Sequence, residues 1–386
     1  GFGGFHMHAR TGLATEYLGA EFLHAVARCV AHARRRRLRA WVYDEDRWPS
    51  GFAGGLVSRD PALRERTLRW TTRAEAPSPD ARLLARYAVK LRDGRLHDYR
   101  RLRTGATPRG SVVWHAWLQV AGPDPWFNGQ SYINTFDRRA VQRFLRFTHE
   151  RYFARVGGQV GSTIPAVFTD EPLFFKKSHL RAADVTDQDV IIPFAPDFFE
   201  SYARAYGHRL EDCLPELFWN LPADQPSRTR WCYHDHTAER FAASYGDTVA
   251  RWCTQHGIRL TGHMLSEATL YGQTRAVGEV MRGLRSFQLP GVDVLEDKLE
   301  FTTVKQAQSL ARQFGREGVT SELYGVTGWD FDFTGHKRQG DWQAAMGVTV
   351  RVPHLAWVSM AGEAKRDYPA AIDYHSPWYR HYPLVE

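Results

Sequence analysis

The chain is poor in sulfur: its 386 residues include four cysteines and five methionines. Cys29, Cys213, Cys232 and Cys253 form no CxxC pair. That excludes zinc-ribbon spacing and points to reduced core thiols rather than a disulfide framework. No run of 18 apolar residues is present, so no membrane-spanning helix and no membrane partner are expected. No GxGxxG follows the first strand-like segment, which argues against a dinucleotide-binding doubly wound sheet. The chain opens GFGGFHMH, with no Met and no basic-then-apolar leader ahead of it. No zinc-finger, RNA-recognition or helix-turn-helix signature accompanies the basic run at 34–37, so no nucleic-acid partner is expected. That run closes a helical segment, where cations oppose the negative end of the helix dipole. The net charge of +8 reflects abundant arginine elsewhere as well.

What is present is globular in character, 43% hydrophobic and 24% charged. Thirteen Trp and sixteen Tyr supply a large aromatic core and, beyond it, flat faces on which sugar rings stack. Segments 1–8, 38–51, 165–172, 258–265, 292–296, 319–325 and 353–360 read as strands. Helical periodicity occupies 16–37, 137–157, 196–218, 229–256, 269–287, 303–315 and 336–346. Strands separated this regularly by helices form a parallel sheet, and at this length a (β/α)8 TIM barrel. Eight strands are needed and seven are found. The expectation is therefore an incomplete barrel, lacking the first strand and last helix, over 1–386. Between 76 and 136 the rhythm breaks into antiparallel strands with Asp-Gly turn chemistry, a β-rich insertion after the third barrel strand.

In such a barrel the C-terminal ends of the strands converge on the active-site face. Those ends carry His6, His8 and Arg10; Asp44, Glu45 and Asp46; Asp170 and Glu171; His263 and Glu267; Asp293 and Glu296; Glu322 and Tyr324; Trp357 and Ser359. Helix caps account for some of the aspartates but rarely for glutamates. Converging carboxylates with aromatics suit glycoside hydrolysis. One acid protonates the leaving oxygen, and a second, ionised one activates water or attacks the sugar. Crowding of like charges raises one carboxyl pKa and so creates the acid. Glu171 and Glu322, at the fourth and seventh barrel strands, face each other across the mouth. Metal chemistry competes: His6-x-His8 with Asp44, His263 and Glu296 could hold a transition ion. A calcium held by carboxylate oxygens is a further expectation. Trp48 and Trp329 are candidate sugar platforms, and Pro49-Ser50-Gly51 reads as a turn at the site rim.

The stretches GFGGFHMHARTGLATEYLGAEF, AWVYDEDRWPSGFAGG, FTDEP, TGHML, PGVDVLE and SELYG resemble the catalytic barrel of glycoside hydrolase family 106 and its close relatives. The resemblance implies an α-L-rhamnosidase-like, exo-acting, inverting glycosidase with calcium in or near the sugar site. It implies Glu171 as the acid, Glu322 as the base-side carboxylate and Glu267 as an assisting group. Around them, from their places at the strand ends and rim, His6, His8, Arg10, Asp44, Asp46, Trp48, Asp170, His263, Glu296, Tyr324 and Trp329 are expected to contact the sugar. Members of the family are long, so further domains of the same chain are expected outside this fragment. Two readings stay open beside it: a retaining β-galactosidase-like barrel with its acid and nucleophile at the same two strands, and a carbohydrate-binding barrel without catalysis.

Overall fold

The computed structural model describes residues 2–10, 12–103, 109–356, 369 and 372–385. The chain begins with β1 (Gly4–Met7), α1 (Ala20–Arg36) and β2 (Arg39–Tyr43). Arginines fill the last turn of α1, and Arg37 closes it in a left-handed conformation with φ 60°. An excursion follows: β3 (Arg66–Thr71), β4 (Arg82–Arg92), β5 (Arg95–Leu102) and β6 (Val112–Val120). Then come α2 (Arg138–Phe147), α3 (His149–Val156), β7 (Ala166–Asp170) and β8 (Val190–Pro193). The helices α4 (Phe198–Tyr206), α5 (Leu210–Cys213), α6 (Arg228–Phe241) and α7 (Asp247–Gln255) lead into β9 (Arg259–His263). The remainder is α8 (Leu270–Ala276), α9 (Val280–Leu284), β10 (Leu289–Val294), α10 (Phe301–Gln313), β11 (Thr320–Leu323), α11 (Phe333–Met346) and β12 (Val350–Pro353).

Seven strands form one curled sheet in the order β1-β2-β7-β9-β10-β11-β12. Every neighbouring pair is parallel. Each helical crossover therefore advances the chain by one strand, as the βα rhythm implies. Among the described residues β1 and β12 each have one strand neighbour. The described sheet is thus a seven-stranded arc, and closure into a complete (β/α)8 barrel is not seen. Strand β7 is buried along its whole length, as a strand covered on both faces must be. Gly262 in β9 has φ 125°, and a Cβ there would lie 1.8 Å from the Thr169 carbonyl oxygen. Only glycine allows β9 to approach β7 this closely.

Several elements differ from the sequence reading. The last strand is 350–353, ahead of the expected 353–360. It ends at a Pro whose successor, His354, takes the tip position, while Trp357 and Ser359 lie outside the described residues. The expected helix at 269–287 breaks at Gly278, whose φ is 83°. The helix at 229–256 contains a π-helical turn, Ala242–Gly246. That turn places the buried Tyr245 hydroxyl 2.8 Å from Thr169 Oγ1 and so ties the helix layer to β7. The antiparallel sheet has the order β5-β4-β6-β3-β8 and extends beyond 76–136 at both ends. It recruits β8 from the loop after β7, pairing Leu68 with Ile192. Its core is aromatic. Trp70 stacks on Trp114 at 5.5 Å and on Phe218 at 4.6 Å, so these rings serve packing rather than sugar stacking. Cys232 and Cys253 are buried and unpaired as expected, but Cys29 is exposed.

Candidate active site

Strand register explains why residues so far apart in sequence meet. In adjacent parallel strands Asp170 of β7 is aligned with His263 of β9, and Asp293 of β10 with Glu322 of β11. Inward-facing side chains of alternate strands then stack in layers. One layer joins Thr261 to Thr320 at 2.8 Å. Two residues further along, the next layer joins His263 Nε2 to Glu322 Oε2 at 2.7 Å. Asp170 Oδ1 lies 3.4 Å from the same nitrogen, and Tyr43 donates to Asp170 Oδ2 at 2.6 Å. His354 Nε2 stands 3.6 Å from the other oxygen of Glu322. Glu171, Asp293 and His263 bring ligand atoms within 4.8 Å of one another. Glu171 and Glu322 therefore flank one imidazole.

Their environments push them in opposite directions. Burial and the neighbouring Asp170 charge raise Glu171 to about 8. Burial alone would raise Glu322 as well. The hydrogen bond from His263 and the charges of His354 and His263 outweigh it and bring Glu322 down to about 2. Burial would lower His263, but the bond to Glu322 and the Asp293 and Asp170 carboxylates hold it well above its usual 6.5. Burial and the Glu322 charge raise Asp170 to about 6, and burial also drives Asp293 upward. The arrangement can offer a proton from Glu171 and accept one at Glu322.

The loop after β2 forms the rim, and two buried acids organise it. Glu45 accepts four backbone N–H groups, from Asp46 (3.0 Å), Gly51 (3.1 Å), Ala53 (2.6 Å) and Gly54 (2.7 Å). Asp44 accepts the Ser50 hydroxyl at 2.6 Å. Asp44 is fully buried beneath the rim and is raised to about 8, chiefly by burial. Asp46 pairs with Arg47 at 3.1 Å and accepts from Asn128 at 3.0 Å. Trp48 packs edge-on against Trp126 at 4.8 Å, with the Arg10 guanidinium 5.6 Å over its ring.

The remaining expected residues divide. His8 stacks on Tyr43 at 3.7 Å beside the cluster, and His6 lies against Trp41 (5.2 Å) and Phe168 (4.9 Å). Glu267 is buried, and its carboxylate accepts the backbone N–H of Asp293 at 2.5 Å and of Met264 at 3.4 Å. It ties the ends of β9 and β10 together. Glu296 instead pairs with Lys298 at 2.5 Å. Tyr324 points into the helix layer, packing on His336 at 4.7 Å, with its hydroxyl against Gly340. Trp329 is exposed. Tyr43, Ser50 and His354 were not picked out as site residues from sequence. Tyr43 precedes the acidic DED run, Ser50 looked like turn chemistry, and His354 was masked by the misplaced last strand.

The constellation His6, His8, Asp44, His263 and Glu296 is not brought together. Among the described residues, two other groups could take a cation: Asp170 with His263 and Glu322, and Glu171 with His263 and Asp293. Each offers two carboxylate oxygens and one imidazole nitrogen. Calcium takes six to eight oxygens, so this donor mix fits it poorly.

The sequence matches no described protein family and no curated protein. The fold is similar to that of a rhamnosidase from Novosphingobium sp. PP1Y, with a TM-score of 0.68 and 13% identity. The similarity covers 100% of this chain and 56% of that one, so the chain spans little more than half the length of that enzyme.

Proposed function

We propose that this chain is the catalytic barrel of a glycoside hydrolase acting on α-L-rhamnosides or related deoxy-hexosides, with inversion. The observation that carries this reading is the pair Glu171 and Glu322, set around His263 and shifted to about 8 and about 2. Glu171, protonated at neutral pH, gives its proton to the departing glycosidic oxygen. Glu322, kept ionised by His263, takes a proton from the attacking water. Asp170, held by Tyr43, lies beside the imidazole and favours its charged form. His8, Arg10 and Trp48 line the approach from the β1 and β2 loops and contact the sugar. The proton transfers use side chains alone.

The test is a screen of the full-length protein against nitrophenyl glycosides, with the anomer of the first product read by proton NMR. Turnover of the α-L-rhamnoside with inverted product supports the reading. A retained product assigns Glu322 as nucleophile, as in the β-galactosidase-like alternative. Saturable sugar binding with no turnover of any glycoside assigns a non-catalytic carbohydrate-binding barrel.

A further inference from the structure

We infer that Ser50 is a positioning residue for the acid Glu171, acting through the peptide that joins Asp170 to Glu171. The inference rests on the acid role given to Glu171 above. Ser50 clips both backbone groups of Asp170. Its N–H donates to the Asp170 carbonyl oxygen at 2.7 Å, and the Asp170 N–H donates to Ser50 Oγ at 2.8 Å. The hydroxyl donates its own hydrogen bond to Asp44 Oδ1 at 2.6 Å, and Tyr132 donates to the Ser50 carbonyl at 2.7 Å. Ser50, Asp44, Asp170 and Tyr132 are all buried.

The Asp170 carbonyl and the Glu171 N–H belong to one planar peptide. Holding that carbonyl therefore fixes the plane from which Glu171 departs. Glu171 has φ 49°, in the left-handed region that a residue with a Cβ adopts only when its surroundings impose it. That conformation turns the side chain back toward His263 and Asp293 rather than onward along the strand. Ser50 braces it from two sides, its N–H on the Asp170–Glu171 peptide and its hydroxyl on the Thr169–Asp170 peptide just before it. Its hydroxyl is suited to the task, because it accepts from the Asp170 N–H while donating to the buried Asp44 carboxyl. Alanine keeps the backbone bond but takes the acceptor from the Asp170 N–H and one of the donors from Asp44. The Trp-Pro-Ser-Gly turn is then part of the acid's support and not only a rim.

The test compares Ser50→Ala and Glu171→Gln on phenyl and 2,4-dinitrophenyl α-L-rhamnoside. The ratio of kcat/KM for the two substrates does not depend on the folded fraction of a preparation. A misplaced acid slows the phenyl substrate, which needs a proton on its leaving oxygen, more than the dinitrophenyl one. For Ser50→Ala the ratio is expected to fall roughly tenfold or more, and for Glu171→Gln further. An unchanged ratio in Ser50→Ala beside a collapsed ratio in Glu171→Gln overturns the positioning role while leaving the acid in place. An unchanged ratio in Glu171→Gln overturns the acid assignment, and this inference with it. Should Ser50→Ala fail to fold, Tyr132→Phe removes the hydroxyl that donates to the Ser50 carbonyl and also bonds the Leu173 backbone, leaving Ser50 itself in place. It is expected to lower the ratio in the same direction by less, and an unchanged ratio there also overturns the proposal.

Discussion

His263 Nε2 lies 2.7 Å from Glu322 Oε2, in a layer of the sheet two residues above the Thr261–Thr320 contact. The imidazolium and the carboxylate each hold the other in its charged form. Replacing His263 by Ala leaves Glu322 buried without its main partner. Its acidity then weakens, and the acid limb of the pH–kcat/KM profile moves to higher pH. A limb that stays in place would show that His263 does not set the charge state of Glu322.

The same pair predicts a stability window. Glu322 is depressed from 4.5, so its contribution is present above that pH and lost as pH falls towards about 2. His263 is raised above 6.5, so its contribution is full below that pH and lost as pH rises through its folded value. Both contribute fully between about 4.5 and 6.5. Thermal melts of Glu322→Gln should therefore fall furthest below wild type in that range, and the deficit should shrink on either side.

Glu171 behaves in the opposite sense. Its folded value of about 8 exceeds its ordinary 4.5, so the native state binds a proton that the unfolded state has released. Stability is lost as pH rises from 4.5 through 8. Glu171→Gln removes this loss. Its melting temperature relative to wild type should climb between pH 5 and pH 9, while kcat on poor leaving groups drops by about 10²–10⁴-fold. Wild-type activity should decline above about pH 8, as the acid ionises. A melting difference that is flat with pH would contradict the protonated state of Glu171.

Glu267 was expected to assist catalysis, yet its carboxylate is engaged by two backbone N–H groups at the ends of β9 and β10. Glu267→Gln should lower the melting temperature clearly while the folded fraction keeps kcat within about tenfold of wild type, a small loss beside that expected for the acid. A loss of kcat as large as that of Glu171→Gln would return Glu267 to the catalytic group.

Gly262→Ala should be severely destabilising, about 4 kcal/mol or more, because φ 125° and a carbonyl oxygen 1.8 Å from the new Cβ leave no room to relax. Denaturant unfolding, or failure to obtain soluble protein, reads this out. A variant that melts like wild type would mean that β7 and β9 can separate.

The βα rhythm was legible in the sequence, because buried parallel strands are short apolar runs and the helices between them carry a 3.6-residue period. So was the habit of placing acids and histidines at strand ends, and with it the convergence of Asp170, Glu171, His263 and Glu322. Residue order alone also located β7, β9 and β11 to within a few residues. What it could not supply was register and direction. Whether Asp170 meets His263 or Gly262 depends on how β7 slides against β9, and a one-residue shift turns every side chain to the other face. Tertiary packing also decided which carboxylates serve the backbone and which serve the site. Asp44, Glu45 and Glu267 are spent on N–H and hydroxyl donors brought near by folding, and Glu296 and Tyr324 turn away from the cluster. The roles of Ser50 and His354 likewise came only from structure. A hydroxyl and an imidazole have no pattern of their own, and their meaning is set by the groups that burial places within hydrogen-bonding distance.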